Sequence, residues 1–286
     1  MLAISVVIPF FDGMDYLDRT LAGLLRQSLP SCLWEVIISE DGSPNSTCRL
    51  INKYRSMNVR RVRIERNGFR LATARNVAIR SSLGPIITML DFDCVPLPTH
   101  LENHLALLND SRLVATVGLR KFVDLSSIHA KEIATKDWWA EVHKIPSISA
   151  GGSSEDKRTG EIEGIATHPC PSNLFHGCNV GFWRSTAEER GLFSEEFNGA
   201  HGYEDLEFAW RLQLAGVRFA FVDAPVYHQE NEIVGVRQRV EGQSRNYAVL
   251  VRLAHGLVEF RNGAKPRLSP PCIPERILGS LCESNK

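Results

Sequence analysis

Two carboxylates one residue apart, Asp91 and Asp93, end the apolar run Ile86-Ile-Thr-Met-Leu90. Such a run suits a short strand buried on both faces, and the strand stops where its charges begin. Two acids at the C-terminal lip of a parallel sheet lie where open α/β sheets bind ligands. Hard oxygen ligands there suit Mg²⁺ or Mn²⁺ carrying a phosphorylated substrate. Taken alone, so short a match reads first as a strand-ending turn with solvated aspartates.

Three other stretches bear on that reading. Glu40-Asp41-Gly42-Ser43 follows the second apolar run, Gly68, Arg75 and Asn76 stand where a helix opens, and Gly202-Tyr-Glu-Asp205 begins another. Glu204 and Asp205 by themselves would merely enrich a helix's first turn, where acids meet the positive end of the dipole. Arg75 by itself could be a structural ion pair. Trp138, Trp139 and Trp183 could stack on the flat face of a ligand, although burial is the commoner fate of a tryptophan.

The elements that must position these residues alternate. Ile4–Ile8, Trp34–Ile38, Val59–Glu65 and Ile86–Leu90 read as strands; Asp15–Gln27, the Leu50-Ile51-Tyr54 stretch and the segment after Asn67 read as helices between them. This alternation predicts a mostly parallel α/β sheet with helices on both faces. Farther on come a helix over His100–Leu108, a strand over Leu113–Leu119, a loop-like stretch over Ser149–Gly160, a strand ending at Trp183, a short strand over Phe219–Val222, and a last amphipathic helix from Tyr247 to Val258 expected to pack back on the sheet. The 149–160 stretch has the composition of a mobile lid or of an ordinary surface excursion.

Composition narrows the class. The chain has 286 residues, 43% hydrophobic and 23% charged, with Lys+Arg and Asp+Glu both at 33. Nothing global attracts nucleic acid or an anionic membrane. No apolar run reaches the ~18 to 20 residues of a membrane span, and the first residues run straight into a strand rather than resembling a signal peptide. Seven cysteines without a Cys-x-x-Cys pair disfavour a zinc knuckle and a complete disulfide framework. A soluble cytoplasmic protein, with at most a peripheral membrane contact, is the expectation.

These four stretches, in this order and spacing, resemble the family 2 glycosyltransferases, inverting enzymes of the GT-A (Rossmann-like) fold, over roughly residues 3 to 230. The Gly-x-Glu-Asp stretch is most similar to that of bacterial polysaccharide-type transferases and galactosyltransferase-related catalytic domains. The resemblance implies transfer of one sugar from a UDP-sugar to an acceptor hydroxyl with help from Mn²⁺ or Mg²⁺. It implies Asp205 as general base, and Pro9, Phe10 and Asp41 as uridine-binding positions. Arg75 would meet the diphosphate or hold Asp91, and Asn179 with Gly177 would lie beneath the donor sugar. Asp91 would face the ribose or a metal-bound water, and Asp93 would bind the ion directly with His228 as a further ligand. Gly202, Glu204 and Trp183 would serve the acceptor, Glu40 would only shape its turn, and Arg237, Arg239 and Arg245 would close on the diphosphate.

The same resemblance implies a catalytic domain over 1–230, with a nucleotide-binding half over about 1–120 and an acceptor-binding half over about 121–230, and a C-terminal helical extension over 231–286. The acceptor stays open: a glycan, a lipid-linked sugar, a peptide or a small molecule. Two rivals remain. A sugar-nucleotide nucleotidyltransferase would cradle a triphosphate with a glycine-rich loop after the first strand, where this chain has Pro9-Phe-Phe-Asp-Gly-Met. A catalytically silent sugar-nucleotide-binding protein would not need acids at 41, 91, 93 and 205.

Overall fold

β-branched and aliphatic side chains build the first half as anticipated: β1 (Ile4–Phe10), α1 (Met14–Leu24), β2 (Trp34–Asp41), α2 (Cys48–Lys53), β3 (Val59–Ile64), α3 (Leu71–Ser81) and β4 (Ile86–Leu90). The second half adds β5 (Cys94–Pro96), α4 (His100–Leu108), β6 (Val114–Val123), α5 (Ala130–Thr135), α6 (Thr159–Glu163), β7 (Asn179–Trp183), α7 (Arg184–Glu189), α8 (Glu204–Leu214) and β8 (Arg218–Gln229). A last helix, α9, covers 243–254. The computed structural model describes residues 2–135, 138–140, 142, 145, 156–229 and 243–254. Most of the 149–160 stretch, Arg237, Arg239 and the end of the last predicted helix lie outside them.

One eight-stranded sheet runs in the order β3-β2-β1-β4-β7-β6-β8-β5. β1 is parallel to β2 and β4, β2 to β3, and β6 to β8. β7 runs antiparallel to both β4 and β6, and β5 antiparallel to β8. The fold is therefore the expected helix-flanked, mostly parallel α/β sheet, with one reversed strand at its centre. That reversal decides which end of β7 reaches the lip carrying Asp91. Leu90 pairs with Asn179, and Ile86 with Trp183.

Burial on both faces makes two apolar cores. One lies beneath α1 and includes Ile8, Leu17, Leu21, Val36, Leu90 and Leu101; the other lies beneath α3 and α8 and includes Val7, Ile79, Val180, Phe182 and Phe208. At the outer edge β3 carries Arg60, Arg61 and Arg63. Arg60 pairs with the buried Glu35 at 2.7 Å and Arg61 with the buried Glu40 at 3.0 Å.

Two expectations need correction. β8 is a strand of 12 residues rather than four. Asp223 and Pro225 resemble strand breakers, yet the pairing with β6 shifts register between Gly118 and Arg120 and lets them pass. Helix α9 rests not on the sheet but on α8 and the loop before it, with Leu250 and Ala254 against Phe197 and Trp210. Trp138 and Trp139 pack edge to face on each other, and Trp138 also packs edge-on against Tyr227; Trp138 is buried, the commoner fate of a tryptophan, and Trp139 partly so.

Candidate active site

The lip of the sheet gathers the C-terminal ends of β1, β2, β4, β6 and β8 and the N-terminal end of β7. Acids and arginines from segments far apart in the chain meet there. A cavity of about 360 Å³ is lined by Asp91, Arg75, Glu204, Asp205, His176 and Arg120, among others.

Arg75 joins the two ends of this site. It projects from α3, only 2% exposed, and donates through Nη1 to Glu204 Oε1 at 2.7 Å while Nη2 reaches Asp91 Oδ1 at 3.4 Å. A guanidinium can serve two carboxylates at once because its fork is rigid and planar. Of the two roles foreseen for Arg75, the structure displays the second, holding Asp91. Room for it comes from Gly177: a Cβ there would lie 2.3 Å from Arg75 Nη2.

Asp205, in the first turn of α8, accepts from the Gly177 backbone N–H at 3.1 Å and from the Leu206 N–H at 2.8 Å. Burial pushes its carboxyl up, but the charge His176 gains on acidification, then Arg75 and these two N–H donors, hold it below its ordinary value. Beside it, burial and the Asp205 charge raise the carboxyl of Glu204, with Arg75 opposing. Glu204 lines the cavity with one oxygen already engaged by Arg75. The entry to α8 is bent by Gly202 at φ 100° and Tyr203 at φ 73°, left-handed backbone that glycine adopts freely and tyrosine only under strain.

At the other end, the ligating atoms of Asp93, Cys94 and His228 lie within 4.8 Å of one another. His228 Nε2 stands 3.7 Å from Asp93 Oδ1, and its Nδ1 faces the Gln229 carbonyl at 3.1 Å. An Nδ1–H donated to a carbonyl leaves the Nε2 lone pair toward Asp93, the arrangement of a metal-binding histidine. Burial raises the Asp93 carboxyl, His228 opposes, and Asp91 adds to the rise. A buried acid crowded by another acid gains from a cation, so these residues fit a divalent ion. Asp91 is not one of the trio; its carboxylate turns to Arg75. Cys94 joined the cluster without any sign beyond its place next to Asp93.

The nucleotide side is built at the ends of β1 and β2. Asp41 is held by Arg70, which donates its backbone N–H to Oδ2 at 3.0 Å and Nη2 to Oδ1 at 2.6 Å. Neither Arg70 nor Arg66, whose guanidinium sits 3.9 Å from the Phe11 ring, was foreseen. Phe10 is 2% exposed, with its ring edge-on to Phe92 and its carbonyl taken by Ser43, so Phe10 offers no ring to a base. Pro9, also buried, pairs with Ser39. Glu40 does shape its turn, accepting from the Thr47 backbone at 2.8 Å and from Arg61 at 3.0 Å.

Two expected site residues are elsewhere. Trp183 sits at the opposite end of β7 from the lip, about 13 Å away at ~3.3 Å per residue, and donates Nε1 to the Leu108 carbonyl at 2.7 Å. Asn179 is 1% exposed and its amide is spent inward, donating to the Leu119 and Ala224 carbonyls at 2.8 and 2.9 Å and meeting His104 Nε2 at 3.1 Å. It ties β7 to β6 and β8.

Cavity residues that sequence patterns did not reveal are Arg120, Arg158 and His176. Asp156 holds both arginines, accepting Arg120 Nε at 2.6 Å and Arg158 Nη2 at 2.7 Å. Arg245, foreseen near the diphosphate, instead bonds Asn246 Oδ1 at 2.8 Å on α9.

The model of the family described as glycosyl transferase family 2 matches residues 5–185. Chondroitin synthase of Pasteurella multocida is 30% identical over 241 residues, a stretch that is 80% of this chain and 25% of that synthase. The chain thus spans only about a quarter of that relative's length. Among solved structures, S. aureus TarS 1-349 in complex with UDP superposes with a TM-score of 0.60 at 17% identity, covering 87% of this chain and 65% of that one. GalNAc-T7 with UDP, GalNAc and Mn²⁺ superposes with a TM-score of 0.57 at 18% identity, covering 81% and 44%. At these identities the structures establish a shared GT-A fold.

Proposed function

Since the chain belongs to glycosyl transferase family 2 and is a glycosyltransferase, we propose that it moves one sugar from a UDP-sugar to an acceptor hydroxyl, inverting the anomeric carbon, with Asp205 as general base. The observation that carries this reading is the single cavity in which Arg75 links Asp91 on the donor side to Glu204, next to Asp205.

In this reading Asp41 accepts the pyrimidine N–H through the lone pairs Arg70 leaves free, and the diphosphate lies along the lip toward Asp93 and His228. A divalent ion held by those two residues would neutralise charge on the leaving UDP. Arg75 keeps Asp91 and Glu204 at fixed separation, so the cavity is organised before substrate arrives. Asp205, kept ionised by its two N–H donors and Arg75, takes the acceptor's hydroxyl proton as that oxygen bonds to the anomeric carbon. The bond pair of the old glycosidic C–O bond leaves with UDP. One carboxylate on the far face suffices, and no covalent intermediate is needed.

The relatives support the donor class: TarS was solved with UDP and with UDP-GlcNAc, and GalNAc-T7 with UDP and Mn²⁺. The acceptor belongs to the classes named above; the chondroitin and hyaluronan synthases among the relatives favour a glycan. Residues 1–230 would then form the catalytic unit, with 231–286 as an appended segment. Asp205→Asn tests the reading. UDP release from a turned-over UDP-sugar should fall by about 10²-fold or more, while calorimetric UDP binding stays at the parent value. Transfer at the parent rate would overturn it.

A further inference from the structure

His176 lines the cavity, yet the reaction above gives it no task. Arg158 approaches its Nδ1 with Nη1 at 2.9 Å. A guanidinium only donates and keeps its protons in proteins, so Nδ1 must carry the lone pair and the proton of the neutral ring must sit on Nε2. Arg158 has no freedom to do otherwise. Asp156 accepts its Nε at 2.9 Å and its Nη2 at 2.7 Å, and is itself shared with Arg120 at 2.6 Å.

The other end of the ring is the unusual one. Nε2 is shielded from solvent and meets no hydrogen-bond partner among the described residues. A buried N–H without an acceptor is costly, and proteins rarely keep one unless a bound molecule satisfies it. The backbone adds a direction: the N–H of the next residue, Gly177, is the one that holds Asp205.

We propose that the Nε2–H of His176 donates a hydrogen bond to a sugar oxygen of the substrate at the Asp205 end of the cavity, with Arg158 and Asp156 as the positioning pair that fixes its tautomer. This rests on Asp205 marking where sugar and acceptor meet. Burial, then the Arg158 charge, lower the imidazole to about 3, so the ring is neutral wherever the enzyme works and acts as a donor only. Hydroxyl, ring and N-acetyl carbonyl oxygens can all accept such a bond; a deoxy position cannot. Selection among sugars then depends on which carbon carries the oxygen, and a missing acceptor leaves the N–H unpaired.

Two measurements test the proposal. In protein labelled with ¹⁵N-histidine, the long-range ¹H–¹⁵N spectrum should assign His176 a protonated Nε2 and a bare Nδ1, and Arg158→Met should turn this into a mixture. A bare Nε2 in the parent protein would overturn the tautomer and the proposal with it. In kinetics, His176→Gln keeps an N–H near the Nε2 position and His176→Leu does not. With whichever of UDP-glucose, UDP-galactose and UDP-GlcNAc the parent turns over, Gln should stay within about threefold in kcat/KM and Leu should lose roughly tenfold, with UDP affinity unchanged in both. Equal loss in Gln and Leu, or none in Leu, would overturn it. The Asp205→Asn experiment fails separately, since it touches neither the tautomer nor the Gln–Leu difference.

Discussion

Arg75 Nη2 occupies the space where any side chain on residue 177 would begin, 2.3 Å from a Cβ built on Gly177. The close approach makes the glycine a condition of the Arg75 bridge. Gly177→Ala should displace the guanidinium from Asp91 and Glu204 and lower UDP-sugar turnover by about 10²-fold, with a loss of roughly 2 kcal/mol in stability. Arg75→Lys should match it, since an ammonium cannot hold two carboxylates in a planar fork. A Gly177→Ala variant turning over at the parent rate would show the bridge to be dispensable.

If Asp93 and His228 hold a divalent ion, removing either should weaken UDP binding only when the ion is present. Calorimetry of UDP with and without Mn²⁺ should show the metal-dependent gain in affinity falling at least tenfold in His228→Ala, with Asp93→Ala losing it altogether. A gain that survives both substitutions would place the ion elsewhere.

The acid limb of the pH profile should be unusual. Asp205 is held below the ordinary carboxylate value, first by the charge that His176 gains as the pH falls and then by Arg75 and two N–H donors, so it stays ionised on acidification past the point where a free aspartate takes up its proton. For as long as the fold survives, kcat/KM should show no inflection at or above pH ~4 from this group. An inflection near pH 6 that persists in His176→Gln would argue against Asp205 as the base.

Stability should fall on mild acidification for another reason. His104 is fully buried, and burial lowers it to about 4 while the unfolded chain takes up the proton near 6.5. Between those values the unfolded state binds more protons, so stability rises with pH and drops as pH falls from about 6.5 toward 4. His100 is lowered in the same direction by burial. Two pH units here correspond to about 3 kcal/mol for one such group. Thermal melts across this range should show the decline, and His104→Gln, which retains a hydrogen-bonding amide, should flatten its slope.

Asn246 bears on the role of α9. It is fully buried and its Nδ2 faces the carbonyls of Phe197, Ala200 and Gly202 at 3.2, 3.0 and 2.9 Å. These carbonyls shape the loop that enters α8 just before Glu204. Asn246→Ala should raise the acceptor KM several-fold while leaving UDP affinity alone, and lower the melting temperature by a few degrees. Unchanged acceptor kinetics with a lowered melting temperature would reduce Asn246 to a stabilising contact.

Asp91 and Asp93 were legible because charge at the end of an apolar run is conspicuous, Glu204 and Asp205 because of the Gly-x-Glu-Asp resemblance, and all four come to the lip. Trp183 went astray through strand direction. In a sheet with parallel strands throughout, the C-terminal end of the seventh strand would face the site; β7 runs the other way, so Trp183 lies at the far end, whereas Asn179 does reach the lip but turns its amide inward to carbonyls of β6 and β8. Hydrophobic pattern reports burial but not direction. His176, Arg120, Arg158 and Asp156 stayed hidden because no periodic pattern links them: Asp156 and Arg158 are neighbours, but they reach Arg120 and His176 across 36 and 18 residues. Asn246 lay in what read as a separate extension, yet it bonds carbonyls more than 40 positions earlier.

The arginines on β3 carry an implication for handling the protein. With no net charge at neutral pH, long-range repulsion does little to keep copies apart. Arg60, Arg61 and Arg63 stud the open margin of the sheet, and another chain's strand would have to desolvate them to pair there. Exchanging the exposed Arg63 for threonine, with Arg60 and Arg61 kept on the buried Glu35 and Glu40, should leave each monomer folded yet more prone to ordered self-assembly, visible as rising light scattering on concentration. The guanidiniums of that outermost strand thus guard solubility, a duty apart from sugar transfer.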